Sequence, residues 1–253
     1  MILFQVEDSR IFAFLLKSII PVNEEVVFEA GPSGIVIKAI DPGYSLYCEM
    51  VLLPNFFQEY YGVETSIIFS FNAKKVFDLI KRFKDVLVFE VVPEKKIIII
   101  VIREQEFEFD YYEEVRIFPK LNLTPVASVT FKTEQILPII RKLEEATRLG
   151  VDIATIRIDK EKFSVSFTKD EERLTFKIPK AKLISMDVKE EKEWKYNPEN
   201  LIIALGRTEL SSITIVTITK EQPLKVEYPL IGYDGNPAGS CIYYLAPKAE
   251  VET

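Results

Sequence analysis

Two kinds of hydrophobic spacing alternate along the chain. From Ser9 to Ile20 apolar residues recur at helical intervals, and they do so again over Ala73–Phe83, Glu134–Arg148 and Pro198–Gly206. Such spacing collects side chains on one helical face. Between these stretches lie short runs rich in β-branched and aromatic residues, which predict strands. In the first half they are Gly34–Ile40, Ser45–Leu53, Ser66–Phe71, Val86–Val92 and Lys96–Arg103. In the second half they are Asp152–Ile158, Lys162–Thr168, Arg173–Ile178, Leu183–Val188, Ile213–Thr219, Leu224–Tyr228 and Cys241–Leu245. These are the clearest runs; the expectation for each half is about eight or nine short strands and two helices. The economical architecture is α+β: antiparallel sheet with helices on one face.

The halves repeat one another. Phe69-Ser-Phe-Asn72 precedes one helical stretch and Trp194-Lys-Tyr-Asn197 another, at an offset of 125. In both, an Asn stands where an N-cap belongs, and Pro198 suits the first helical position. Leu3–Val6 and Thr130–Thr133 precede the other two helices at an offset of about 127. Two anchors at nearly one offset and in one order point to a duplicated domain. Pro119 and Pro125 bracket a non-periodic join. The predicted division is 1–118, a connecting loop over 119–126, and 127–253.

With 253 residues, 48% of them apolar, the chain can bury one large core or two small ones. No apolar run is long enough to span a bilayer, and the first residues lack the basic start of a signal peptide. The absence of histidine removes His-based triads, imidazole zinc sites and histidine general bases. Cys48 and Cys241 are too far apart for a CxxC site and are expected to be reduced and buried. Asn122-Leu123-Thr124 reads as a chance sequon. The few amides, with abundant Ile, Lys and Glu, hint at a thermophilic source.

A net charge of −7 argues against a generic nucleic-acid binder, but its distribution is uneven. Residues 72–84 carry +4, from Lys74, Lys75, Lys81, Arg82 and Lys84 against Asp78. The four helical segments together carry +5, so −12 falls on the remainder. That split would attract phosphates to one face and repel them elsewhere. A lysine-rich helix is also what a solvated face looks like, and charge leaves both readings open. No aromatic interleaving or Arg pair suggests base readout, so any nucleic-acid contact is expected to be sequence-independent.

Catalytic motifs do not appear. There is no Gx4GK[ST], no GxGxxG after a strand and no GxSxG elbow. The acidic run Glu104–Glu114 follows a strand alternation, and Glu190–Glu193 belongs to a mixed-charge run. Asp41-Pro42-Gly43 reads as a turn. An enzyme and a cofactor are not expected.

Several segments then match a known family in order. Pro223-Leu-Lys-Val-Glu-Tyr228 followed by Ile242-Tyr-Tyr-Leu-Ala-Pro-Lys248 resembles the ending of the archaeal and eukaryotic DNA sliding clamps, the proliferating cell nuclear antigen family. Gly34–Asp41, Leu46, Leu53-Pro54 and Phe57–Tyr60 are similar to its first domain, as are Phe69–Asn72 and Ile80-Lys81. Leu210–Ile215 fits the segment before the final strands.

The resemblance implies a non-catalytic ring of three chains and six domains around duplex DNA, with helices lining the hole and sheets outside. An ATP-using loader opens it, and it tethers DNA polymerase, flap nuclease and ligase through short peptide motifs. The matching DNA-facing residues are Lys17, Lys74, Lys75, Lys81, Arg82, Lys84, Arg141, Lys142, Arg148 and Arg207. The partner-peptide pocket would comprise Ile40, Tyr44, Leu121, Leu123, Pro223, Tyr244, Ala246 and Pro247; from the residues alone, these could equally close the domain junction. Subunit contact would join Gln105–Tyr112, with Glu106, Glu108 and Asp110, to Glu172–Lys180, with Arg173, Lys177 and Lys180. Ala13, Phe14, Asp78 and Pro138 stand where the family commonly has basic residues, so the bore is expected to be less positive. The implied location is cytoplasmic and nucleoid-associated if archaeal, nuclear if eukaryotic. A mixed-chain or checkpoint-type ring, or a β-rich scaffold that binds only protein, stays open.

Overall fold

The computed structural model describes residues 2–61, 66–113, 117–169, 172–220 and 223–248. Its contacts divide the chain into two units. The first gathers Met1–Asp41, Cys48–Pro119 and Pro229–Cys241; the second gathers Pro42–Tyr47, Lys120–Tyr228 and Ile242–Thr253.

The first unit is built from β1 (Ile2–Val6), α1 (Ser9–Ile19), β2 (Glu25–Gly31), β3 (Gly34–Ile40), β4 (Leu46–Leu52), β5 (Glu59–Tyr61), β6 (Ile67–Asn72), α2 (Ala73–Ile80), β7 (Leu87–Val92), β8 (Ile97–Ile102) and β9 (Gln105–Asp110). One sheet has the order β5-β1-β7-β8-β9, and β4-β3-β2-β6 forms another run. The alternation of β1 buries Ile2, Phe4 and Val6. The Phe4 ring centroid lies 4.6 Å from that of Phe89 and 4.7 Å from that of Phe57. The α1 residues Phe12, Leu15, Leu16 and Ile19 are buried, and α1 packs beside α2.

The second unit repeats this plan with β10 (Pro125–Lys132), α3 (Leu137–Arg148), β11 (Ala154–Ile158), β12 (Lys162–Lys169), β13 (Glu172–Pro179), β14 (Ser185–Val188), β15 (Lys192–Tyr196), α4 (Pro198–Leu205), β16 (Ile213–Thr219), β17 (Leu224–Ile231) and β18 (Pro237–Leu245). The orders are β14-β10-β16-β17-β18 and β13-β12-β11-β15. Adding nine to each strand number of the first unit reproduces the second. The core repeats too. Phe131 stands 127 positions after Phe4 and lies 5.5 Å from Phe163, while Tyr228 donates a 2.8 Å hydrogen bond to the Ala204 carbonyl.

The duplicated caps form as the sequence predicts. The Asn72 carboxamide oxygen accepts from the Lys75 N–H at 2.9 Å, and Asn197 accepts from Glu199 at 2.8 Å. Each satisfies an N–H that the first helical turn leaves without a partner. Asn72→Ala is expected to cost about 1 kcal/mol, read as a lower urea midpoint at unchanged slope.

Three details depart from the sequence reading. Pro138 has no N–H, and the third helix opens as a 3-10 turn over Thr133–Ile136 before α3 begins. The second helix stops at Ile80 rather than Phe83. Part of the mixed-charge run becomes strand β15, because Tyr196 is buried while Glu193 turns outward to face Arg157 at 3.7 Å. Strand β18 runs close to β4: a Cβ on Gly239, which has φ +136°, would sit 1.9 Å from the Val51 carbonyl oxygen. Nearby, Cys48 and Cys241 are buried and unbridged, their Sγ atoms 3.8 Å apart.

Candidate nucleic-acid interface and subunit edges

Exposed cations lie on the helices of both units, with the net positive charge on those of the first. On α1, Arg10, Ile11, Phe14 and Lys17 are exposed, while Ala13 is buried and does not share that face. The Asp8 carboxylate caps α1 and is paired with Arg10, whose guanidinium holds it below the usual carboxylate range. On α2 and just beyond it, Lys74, Lys75, Lys81, Arg82 and Lys84 are all exposed. Arg141, Lys142 and Arg148 are exposed on α3, and Arg207 is half-buried after α4.

The formal charge of +4 on the second helical segment overstates what is available there. The Asp78 carboxylate receives the Lys74 ammonium at 2.6 Å and the Lys81 ammonium at 2.5 Å. These hydrogen bonds pull its pKa down to about 2. The stability this pair of contacts contributes is therefore present above the ordinary carboxylate range and is lost only as pH falls towards 2. Lys81 also lies 5.0 Å from the Phe77 ring centroid. Elsewhere Lys142 pairs with Glu145 at 2.6 Å, and the Arg207 Nε donates to the Ile203 carbonyl at 2.9 Å. The i, i+4 and i, i+3 spacings that link Lys74, Asp78 and Lys81 were the sequence signal for this pairing.

The proposed contact strands are both sheet edges. Among the described residues, β9 pairs only with β8 and β13 only with β12. The hydrogen bond from Tyr111 N–H to the Lys96 carbonyl, 3.1 Å, spans the Ile97–Asp110 pair. That pair is therefore of the non-hydrogen-bonded kind, and the alternation along the ladder turns the backbone groups of Glu106, Glu108 and Asp110 outward. The Lys180 N–H to Glu161 carbonyl bond, 2.8 Å, likewise spans the Lys162–Pro179 pair. On β13 the outward set is Arg173, Thr175, Lys177 and Pro179, and the missing N–H of Pro179 falls where no neighbour needs it. Glu106, Glu108, Asp110, Arg173, Lys177 and Lys180 are exposed, whereas Phe107, Phe109 and Phe176 on the opposite parity are half-buried. Arg173 also donates to the Ser166 hydroxyl at 3.0 Å. A cleft of about 230 Å³ beside β9 is lined by Phe71, Asn72, Lys75, Glu108, Phe109, Asp110 and Tyr112. The sequence reading had not joined Lys75 to this acidic edge. Glu114, at the end of the acidic run, lies outside the described residues.

The peptide-pocket residues distribute as follows. Tyr44 is 73% exposed with φ +55°, and its neighbour Ser45 accepts the Ala246 N–H at 2.9 Å. Tyr244 is half-buried and stacks on Tyr47, the ring centroids 5.5 Å apart, and Pro247 follows it, also half-buried. Leu121 and Leu123 precede Thr124, whose carbonyl accepts the Lys220 N–H at 2.9 Å, and the Pro223 carbonyl accepts from Thr219 at 2.8 Å. Ile40 is buried in the first unit, while the others belong to the second.

A twice-repeated pair of sheets with two helices, with exposed cations on the helices and β9 and β13 at sheet edges, defines the DNA-clamp fold class. No protein-family model matches the chain. It is 26% identical over 258 residues to the DNA polymerase sliding clamp of Thermofilum pendens, covering 99% of this chain and 100% of that protein. DNA polymerase sliding clamp 1 of Sulfolobus acidocaldarius is 24% identical, with 96% and 97% covered. Among solved structures, a chain of the PCNA2–PCNA3 complex from Sulfolobus tokodaii superposes with a TM-score of 0.83 at 21% identity, covering 98% of this chain and 100% of that one. The chain thus has the PCNA fold and is similar from end to end to archaeal DNA polymerase sliding clamps.

Proposed function

We propose that this clamp closes with two further clamp subunits into a ring around duplex DNA and there tethers replication and repair enzymes without catalysing a reaction. The duplicated fold, matched end to end by archaeal sliding clamps, carries this reading. The divisions 1–118, 119–126 and 127–253 are its two clamp domains and their connection. The exposed cations of the helices supply sequence-independent phosphate contact, with Lys75, Arg82, Lys84, Arg141 and Arg148 contributing beside the paired lysines. Encirclement makes retention topological, so weak contacts are compatible with sliding.

The two edges support closure. Outward backbone groups on β9 belong to Glu106, Glu108 and Asp110, and those on β13 to Arg173, Thr175 and Lys177. An antiparallel ladder in the register that sets Glu106 across from Lys177 also sets Asp110 across from Arg173, a carboxylate against each of the two cations. Acidic edge against basic edge within one chain favours head-to-tail association of identical subunits. The same reading assigns the surface of Tyr44, Tyr244, Ala246 and Pro247, with Leu121, Leu123 and Pro223, all in the second unit, to apolar peptide motifs of client enzymes. It locates the protein on DNA in an archaeal cytoplasm.

Loading on nicked circular DNA tests the function. Protein loaded by a clamp loader should stay on the circle at high salt and leave once the circle is linearised. Equal loss from both forms would sink encirclement and favour the protein-only scaffold. A monomer that forms a ring only with other clamp chains would select the mixed-ring version.

A further inference from the structure

The best-defined charge constellation outside the subunit edges is the Lys74–Asp78–Lys81 cluster on α2. Its carboxylate takes one ammonium on each oxygen, at 2.6 and 2.5 Å, from the preceding and following turns. Side-chain exposures of 46%, 36% and 43% leave the cluster open to solvent, so nothing in the core requires it. Exposed ion pairs add little stability. What such a pair does change is the availability of its cations. A phosphate approaching Lys74 or Lys81 must compete with a carboxylate already in contact.

We propose that Asp78 acts as a built-in competitor for phosphate, holding Lys74 and Lys81 against the helix and weakening the grip of this face on the DNA backbone. This rests on the DNA-clamp reading and deepens it by naming a residue that sets contact strength. For a ring that already encloses its track, a looser lysine face lowers the barrier between successive phosphate positions. Asp78 lies on the basic helical segment and takes up a proton only near the bottom of the pH scale, so the competition persists wherever DNA is duplex.

The test is equilibrium binding of the full chain to a short duplex over a range of salt concentrations. Asp78→Asn should tighten binding by roughly tenfold at about 0.1 M salt and steepen the log–log salt dependence by about 1 to 2. In a Lys74→Gln, Lys81→Gln background, the same substitution should add little. If Asp78→Asn acts equally in both backgrounds, its effect is one of net charge and the proposal is overturned. If Arg82→Glu weakens binding while Asp78→Asn leaves affinity and slope unchanged, the proposal fails but the DNA reading survives. If neither substitution changes binding, both fall. Thermal melting of each variant separates these outcomes from loss of fold.

Discussion

Arg173→Glu combined with Lys177→Glu should convert the assembled ring into single subunits. Both side chains sit on the outward parity of the β13 edge, and in the ladder that sets Glu106 across from Lys177 and Asp110 across from Arg173 each faces a carboxylate directly. Reversal replaces two attractions with two repulsions across adjoining strands. Like-charge juxtaposition at an interface costs several kcal/mol. A loss of about 3 kcal/mol weakens association by more than 100-fold. Light scattering across a dilution series would show a one-subunit mass where the parent protein still assembles. Glu106→Lys with Asp110→Lys, made in a second batch of otherwise unaltered protein, should let the two variants associate only with each other. Retention of the parent mass by the β13 variant would rule out this edge as the joint. The contact should also weaken with salt but hardly with pH between 6 and 8, since the chain has no histidine to change charge there.

Phe4→Ala should be the most damaging single core change in the first unit. Phe4 is fully buried at the centre of an aromatic cluster, with Phe12, Phe28, Phe57 and Phe89 ring centroids within 6.4 Å. It also lies directly across from Phe89 in the β1–β7 ladder. Truncation loses the transfer free energy of the ring and leaves a cavity that rigid strands on several sides cannot close. The expected cost is about 3–5 kcal/mol, against a typical total stability of about 5–15 kcal/mol. A urea titration should show the midpoint falling sharply. A change below about 1 kcal/mol would mean that the cluster collapses around the gap. Phe131→Ala probes the equivalent position of the second unit.

What the sequence disclosed was what depends on near neighbours. Asn72 and Asn197 announced helix starts because a cap is completed within three residues. The alternation of Ile2, Phe4 and Val6 is likewise local. The duplication was visible because caps and aromatic residues recur at one offset. The family resemblance pointed to β9 and β13 as edges. Their hydrogen-bond phase was not legible, because it depends on how each strand is registered against its neighbour. Glu25–Gly31 drew no notice, although Val26, Val27 and Phe28 are all buried. Three adjacent buried residues break the alternation that marks a half-exposed strand. The neutralising role of Asp78 was present in the spacing of Lys74, Asp78 and Lys81, but net charge alone concealed it. Assignment of Pro42–Tyr47 to one unit and Pro229–Cys241 to the other depends on long-range pairing that no local pattern records.

That exchange of segments limits how the protein can be dissected. A fragment ending at Pro119 would lack Pro229–Cys241, and with it the Ala238 carbonyl that accepts the Leu53 N–H at 2.8 Å and the Tyr233 N–H that donates to Asn55 at 3.1 Å. Strand β4 would then lose its β18 neighbour and expose bare peptide groups, a template for unwanted pairing. Single-cut halves should therefore precipitate when expressed separately and become soluble when produced together. A circular permutant that starts between β16 and β17 would carry the missing segment into the same half.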